Sequence, residues 1–268
     1  MTNFVRYAVN SKTYYGILEG QQVAELEGGF FHPSPTGVKR NLTEVKLLVP
    51  CAPSKILAVG RNYKTHLSGP VKLAEPTRPE VFFKPVSSLQ DPEGPIVVPS
   101  DSTDLHFEGE LVLVIGKRLR QASKAEVADG IFGVTCGNDV SERNWQRGPD
   151  KDLQWWRAKG CDTFTPIGPA IATGLDYGNL RLRTRLNGEV VQDQSTVDLI
   201  FDCATVVSFI SRYITLEPGD IVFTGTPGQT RAMRPSDVVE VEIEGVGVLR
   251  NPLVAEARAA ASGDDARF

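Results

Sequence analysis

The stretch His106-Phe107-Glu108-Gly109-Glu110-Leu111-Val112-Leu113-Val114-Ile115 decides how this chain is read. From Leu111 to Ile115 every position is apolar and several are β-branched, which predicts a strand covered on both faces. Side chains alternate along a strand, so Glu108 and Glu110 point the same way. Two carboxylates side by side at the mouth of a buried strand repel each other and lose hydration, and a divalent cation between them removes both penalties. The spacing alone does not establish this. Val239-Glu240-Val241-Glu242-Ile243-Glu244 repeats it, with three apolar residues on one face and three glutamates on the other. That is the pattern of a half-buried strand with a solvated acidic face. The first copy differs because the residues that follow it are apolar on both faces.

Working outward, 268 residues suffice for one large core, or for a main domain with a small extra one. Hydrophobic residues at 41% and charged residues at 23% place the chain in the globular range. The net charge of -4, with no Lys/Arg cluster interleaved with aromatics, argues against nucleic acid as a partner. Cys51, Cys136, Cys161 and Cys203 are scattered without a Cys-x-x-Cys pair, as expected of reduced thiols in an intracellular protein. The first residues lack an apolar signal core, and no apolar run reaches the ~18 residues needed to span a bilayer. The expectation is a cytoplasmic protein with no membrane contact.

Residues 1–50 contain three β-like pieces, Val5–Val9, Tyr14–Leu18 and Gln22–Leu26, with turns at Asn10-Ser11-Lys12 and Glu19-Gly20. They predict a small N-terminal β domain, a meander. After the boundary Val49-Pro50-Cys51-Ala52-Pro53-Ser54, the strand-like Lys55–Gly60 opens a catalytic domain over residues 54–268. Residues 64–80 hold three prolines and little hydrophobic period, the composition of a lid or binding loop. Val81-Phe82-Phe83-Lys84-Pro85 and Ile96-Val97-Val98-Pro99 predict short strands. Ser123-Lys124-Ala125-Glu126 is a capping box, and Asp202 can cap a helix with Val206, Val207, Ile210 and Tyr213 on one face. Leu186-Asn187-Gly188-Glu189 carries a two-residue hairpin signal. The tail from Ala255 is expected to be loosely held. Strands dominate without regular βα alternation, so the expected class is α+β, mainly β, rather than a parallel βαβ fold.

Asp139, in Gly137-Asn138-Asp139-Val140-Ser141-Glu142, ends a strand-like run. Taken alone it suits an Asx turn or a helix N-cap, with Glu142 three residues on. Taken with Glu108 and Glu110 it completes an all-oxygen set that suits Mg²⁺ or Mn²⁺, with Ca²⁺ as an alternative, better than Zn²⁺. Three carboxylates and a divalent ion leave a slightly acidic site, so a nearby cation is expected to hold an anionic substrate. Lys159, in Trp155-Trp156-Arg157-Ala158-Lys159-Gly160, is the candidate; otherwise it is a snorkelling surface lysine. His66 opens the lid and is the candidate general base. Gly225-Thr226-Pro227-Gly228 can bind a carboxylate but lacks the ending of a phosphate loop.

The motifs Gly60-Arg61-Asn62-Tyr63…His66, Phe107-Glu108-Gly109-Glu110, Gly137-Asn138-Asp139-Val140-Ser141-Glu142-Arg143…Gln146, Lys159-Gly160…Asp162-Thr163…Pro166-Ile167-Gly168-Pro169 and Thr224-Gly225-Thr226-Pro227-Gly228 occur in this order. Over about residues 55–253 the chain resembles the fumarylacetoacetate hydrolase family in its short bacterial-type, acylpyruvase-like members. The resemblance implies a mixed β-sandwich roll, usually a homodimer, with Mg²⁺ or Mn²⁺ held by Glu108, Glu110 and Asp139. It implies a small 2-oxo acid substrate whose pyruvate-like end chelates the metal, surrounded by Lys159, Gln146 and Thr226, with Arg61 also binding substrate. Arg143 would brace the site and His66 would be the base on the lid. Members cleave C–C bonds in acylpyruvates, decarboxylate or isomerise 2-oxo dioates, or dehydrate sugar acids. Many family hydrolases carry a Glu three residues after the lid His; here that position is Gly69, so His66 is oriented by Glu75, by Glu80 or by neither.

These readings favour a metal-dependent C–C hydrolase. Water deprotonated by His66 attacks the distal ketone of an acylpyruvate or other 2,4-dioxo acid, and the metal and Lys159 stabilise the departing pyruvate enolate. The alternatives are a decarboxylase or isomerase of 2-oxo (di)acids, which needs the same enolate without water, or a non-catalytic ligand-binding relative.

Overall fold

The computed structural model describes residues 1–68 and 73–257. Gly69 and most of the Ala- and Asp-rich tail lie outside the described residues. Strand Gly109–Ile115 runs through the middle of the main sheet, paired antiparallel with Ile131–Asn138 on one side and Ile221–Phe223 on the other. All seven of its residues are buried. Leu111, Leu113 and Ile115 face helix Cys203–Ser211 and the second sheet, where Leu182, Val241, Ile243 and Leu249 meet them. Val112 and Val114 pack on the opposite side against Ile56, Ala58, Ile167 and Phe223. This two-sided cover is what the unbroken apolar run predicts; truncating a core leucine such as Leu113 to alanine would cost about 2–5 kcal/mol.

Among the described residues the main sheet has twelve strands and the second sheet five. Ile221–Phe223 runs parallel to Ile56–Gly60, which pairs antiparallel with the edge strand Glu80–Lys84. The second sheet orders Glu189–Ser195, Arg181–Leu186, Val238–Ile243, Gly247–Ala255 and Ile96–Val98, the last pair parallel. The result is the expected α+β, mainly β architecture: mixed sheets packed face to face.

The N-terminal meander forms as its turns predict, through Thr2–Val9, Lys12–Glu19 and Gln22–Glu27, and gains a fourth strand, Ser34–Asn41. Its four strands are part of the twelve-stranded main sheet, joined to the rest where Thr2–Val9 pairs with Thr165–Thr173. Asn187 and Gly188 both have positive φ, as a two-residue hairpin turn requires, and Leu186 pairs with Glu189 across it. Ser123 caps Lys124–Gly130 with a capping box, and the Asp202 side chain accepts the Thr205 N–H at the start of Cys203–Ser211. Val206, Val207 and Ile210 are buried on that helix, but Tyr213 is not on its buried face. The helix ends at Ser211, and Tyr213 lies beyond it, 70% exposed, edge-on to Phe209.

Candidate active site

The pleat of Gly109–Ile115 builds the site. Gly109 faces the second sheet, where a Cβ would run into the Thr184 hydroxyl, so the side chains of Glu108 and Glu110 point to the other face. Glu110 sits opposite Gly137 in the ladder, Gly109 opposite Asn138, and the Asp139 N–H donates to the Glu108 carbonyl at 2.9 Å. This register brings Asp139 beside Glu108. The three residues are 5%, 1% and 1% exposed for Glu108, Glu110 and Asp139, and one carboxylate oxygen of each lies within 4.8 Å of the others. Asp139 is not a helix cap. Glu142 takes that place, its carboxylate accepting the Asn144, Asp104 and Ser102 donors.

Three buried cations surround the carboxylates. Lys159 is 2% exposed, and its Nζ lies 2.6 Å from both Glu108 Oε2 and Asp139 Oδ2. It is therefore not a snorkelling surface residue. Lys84 Nζ lies 2.6 Å from Asp139 Oδ1 and also donates to the Lys159 carbonyl. Arg143 Nη2 lies 2.6 Å from Glu108 Oε1. The centre thus holds three formal charges of each sign rather than the acidic balance read from the sequence.

The cations serve the carboxylates unequally. Burial alone would raise the Glu108 carboxyl, but Lys159 and Arg143 overcome it and hold it well below the usual range. Burial would lower the Lys159 ammonium, yet Asp139 and Glu108 keep it above its ordinary value. Lys84 is pushed below its ordinary value by burial, which Asp139 only partly offsets. Glu110 has no ion pair among the described residues. One oxygen accepts the Gly225 N–H at 2.6 Å, an approach that uses the positive φ of Gly225, where a Cβ would also strike Asn62. Burial, then Asp139 and Glu108, push the Glu110 carboxyl well above its ordinary range. This shift favours the protonated form of Glu110, and a divalent cation beside it would offset the same burial and carboxylate repulsion. The donor set and this uncompensated carboxyl fit a hard divalent metal.

A cavity of about 280 Å³ opens on the cluster, and every sequence-predicted site residue except Asp139 lines it. His66, on the short helix Lys64–Leu67, has Nδ1 2.7 Å from the Gly228 carbonyl. A carbonyl only accepts, so Nδ1 carries the proton and Nε2 is left as the basic nitrogen. Burial lowers the His66 pKa from its ordinary value, against the pull of Glu108 and the Gly228 bond. Neither Glu75 nor Glu80 orients it: Glu75 lies 3.6 Å from Lys64 and Glu80 grips Arg61. Gln146 accepts from Arg143 at 2.8 Å. The Thr226 hydroxyl donates to the Gly109 carbonyl and accepts from Gln192, which also donates to the Pro227 carbonyl.

The family model described as fumarylacetoacetate (FAA) hydrolase C-terminal matches residues 55–254, and one described as Rv2993c-like, N-terminal matches residues 3–50. The chain belongs to the fumarylacetoacetate hydrolase family. It is 42% identical over 231 residues to Protein Rv2993c of Mycobacterium tuberculosis, covering 85% of this chain and 86% of that one. It is 36% identical over 223 residues to the mitochondrial oxaloacetate tautomerase FAHD2A of Bos taurus, covering 79% and 70%. The crystal structure of 2-hydroxyhepta-2,4-diene-1,7-dioate isomerase from Mycobacterium marinum superposes with a TM-score of 0.88 at 37% identity, covering 96% of this chain and all of that one. Members of this family bind a divalent metal, and here the buried Glu108–Glu110–Asp139 cluster is where one fits.

Within this family fold, sequence reading passed over Lys84 and Gln192. Lys84 carried a usable signal: a lysine closing the aromatic strand Val81-Phe82-Phe83 is poorly placed for solvent. Gln192 carried none, because its strand reads as a polar hairpin arm. No helix among the described residues is long and apolar enough to cross a membrane.

Proposed function

We propose that this protein is a Mg²⁺- or Mn²⁺-dependent enzyme that enolises a 2-oxo diacid, acting as a tautomerase or isomerase. The observation that carries this is that, among the described residues, the His66 ring is braced by a backbone carbonyl and by no side chain. Hydrolysis of an acylpyruvate requires the lid base to hold and activate a water, which a His–Glu pair does well. Here position 69 is glycine, and among the described residues no carboxylate is hydrogen-bonded to His66. Proton abstraction next to a carbonyl needs only one correctly protonated, desolvated nitrogen, and Nε2 is that nitrogen. The names of the bovine tautomerase and the mycobacterial isomerase support the same chemistry.

A bound divalent ion would supply Lewis-acid polarisation of the 2-oxo oxygen. The chain's own residues do the rest. Nε2 of His66 takes the proton from the carbon beside the 2-oxo group and returns it at the enol oxygen or at a conjugated carbon. Lys159 and Arg143 supply fixed positive charge where the enolate oxygen develops, at no reorganisation cost during the step. Gln146 and Thr226 orient the carboxylate end. Leu73, Phe82 and Trp155 in the cavity wall limit water.

The test follows enol absorbance of oxaloacetate and, in parallel, acetylpyruvate hydrolysis with the Mg²⁺-loaded protein. Expected are tautomerisation well above hydrolysis and a loss of about 10²-fold or more in His66→Ala. The acid limb of kcat/KM should lie below the ordinary histidine value of 6.5, since burial lowers His66. Acetylpyruvate hydrolysis as the faster reaction would return the assignment to a C–C hydrolase.

A further inference from the structure

We propose that Arg147 is the specificity-determining residue that reads the distal carboxylate of the substrate. This rests on the 2-oxo diacid reading above and assigns a residue to its second acid group. The cavity is lined by four cationic side chains, Arg61, Arg143, Arg147 and Lys159. Three are committed to carboxylates of the protein. Arg61 is gripped by Glu80, Arg143 by Glu108, and Lys159 by Glu108 and Asp139. Arg147 has no ion pair or side-chain hydrogen bond among the described residues, although it stands in the wall of a strongly charged pocket.

Its place on the helix gives the geometry. Arg143–Arg147 is a single helical segment, so Arg143 and Arg147 are four residues apart and share a face, roughly 5–6 Å apart at their Cβ atoms. Arg143 reaches inward to Glu108, while Arg147 is exposed at the mouth. The Trp155 indole N–H donates to the Gln146 carbonyl at 3.1 Å and holds the end of this helix against the pocket. A substrate whose 2-oxo acid end lies against the inner cluster therefore projects its far end along this face, toward Arg147. Charge points the same way. The inner cluster balances its own charges, and with a divalent ion it carries two positive charges, which the carboxylate and enolate oxygens of one 2-oxo acid end neutralise. A guanidinium beyond that pair is matched by one more carboxylate, and its planar fork suits bidentate contact.

The experiment compares two stable chelators of the same head group on the Mn²⁺-loaded protein by calorimetry. N-oxalylglycine has a distal carboxylate and oxamate lacks one. Expected is a preference of about 10-fold for N-oxalylglycine, the modest size reflecting solvent screening at the mouth. Arg147→Gln should remove that preference and leave oxamate affinity within about twofold. Absence of a preference in the unaltered protein, its persistence in Arg147→Gln, or an equal loss for both ligands in the variant would overturn the assignment. If the binding preference holds while oxaloacetate is not turned over, the enolisation reading fails and the role of Arg147 stands.

Discussion

Two Glu-x-Glu stretches of the molecule, Glu108-Gly109-Glu110 and Glu240-Val241-Glu242, behave as opposites. Glu240 and Glu242 lie on Val238–Ile243 with side chains 26% and 31% exposed, each within ion-pair reach of surface arginines: Arg250 for the first, Arg183 and Arg185 for the second. Water and flexible guanidinium groups satisfy them. Glu108 and Glu110 lie at the mouth of a fully buried strand, where water is replaced by Lys159, Arg143 and, for Glu110, a single backbone N–H. The spacing is the same in both. What differs is whether the face carrying the carboxylates is covered, and the cover turns a solubilising pattern into part of a cluster that could hold a metal.

The widest separation between the two strands is expected from ligand removal. Glu108→Ala and Asp139→Ala should each weaken Mn²⁺ binding by at least about 10²-fold in calorimetric titration. Glu108→Ala also leaves Lys159 and Arg143 facing a lost partner, with an expected destabilisation of about 3–5 kcal/mol in denaturant unfolding. Unchanged Mn²⁺ affinity in both variants would break the comparison outright. Next in size is Lys159→Met, expected to lower kcat by about 10²-fold because one fixed charge facing the enolate is gone. The same change should leave Mn²⁺ affinity equal or tighter, because the ammonium competes for Glu108 and Asp139. Weaker metal binding would show that Lys159 organises the carboxylates instead.

A smaller effect sharpens the contrast through pH. The folded pKa of Glu110 is raised above its ordinary 4.5, so the folded, metal-free protein binds the extra proton. Its stability is complete below that value and falls as pH rises toward the folded pKa, by up to about 1.4 kcal/mol per pH unit. Thermal unfolding without metal should show this fall in the natural protein and a flatter profile in Glu110→Gln. Mg²⁺ should flatten the natural profile by replacing the proton. The smallest effect belongs to the other strand. Glu242→Ala should change stability by at most about 1 kcal/mol and leave Mn²⁺ titrations untouched.

Local pattern carried a large share of this molecule. The apolar run after Glu110, the Asn187-Gly188 turn and the caps at Ser123 and Asp202 are each readable because burial, positive φ and helix-end donors act within a few residues. His66, Glu108, Glu110 and Asp139 were readable as candidates because histidine titrates near neutral pH and clustered carboxylates are costly to bury, and the fold brings them to one place. The tertiary structure decided what no local window contains. Lys84, Lys159 and Arg143 come from a strand end, a loop and a short helix, and only folding brings their charges onto Glu108 and Asp139. Folding also takes Glu80 to Arg61 and sets His66 against the Gly228 carbonyl, a backbone partner that the sequence, which left Glu75, Glu80 or neither open, does not show. Periodicity along a chain reports whether a face is covered. The sign and number of the charges that meet beneath that cover depend on which distant segments pack there, which is why the sequence located the carboxylates and the fold set their balance.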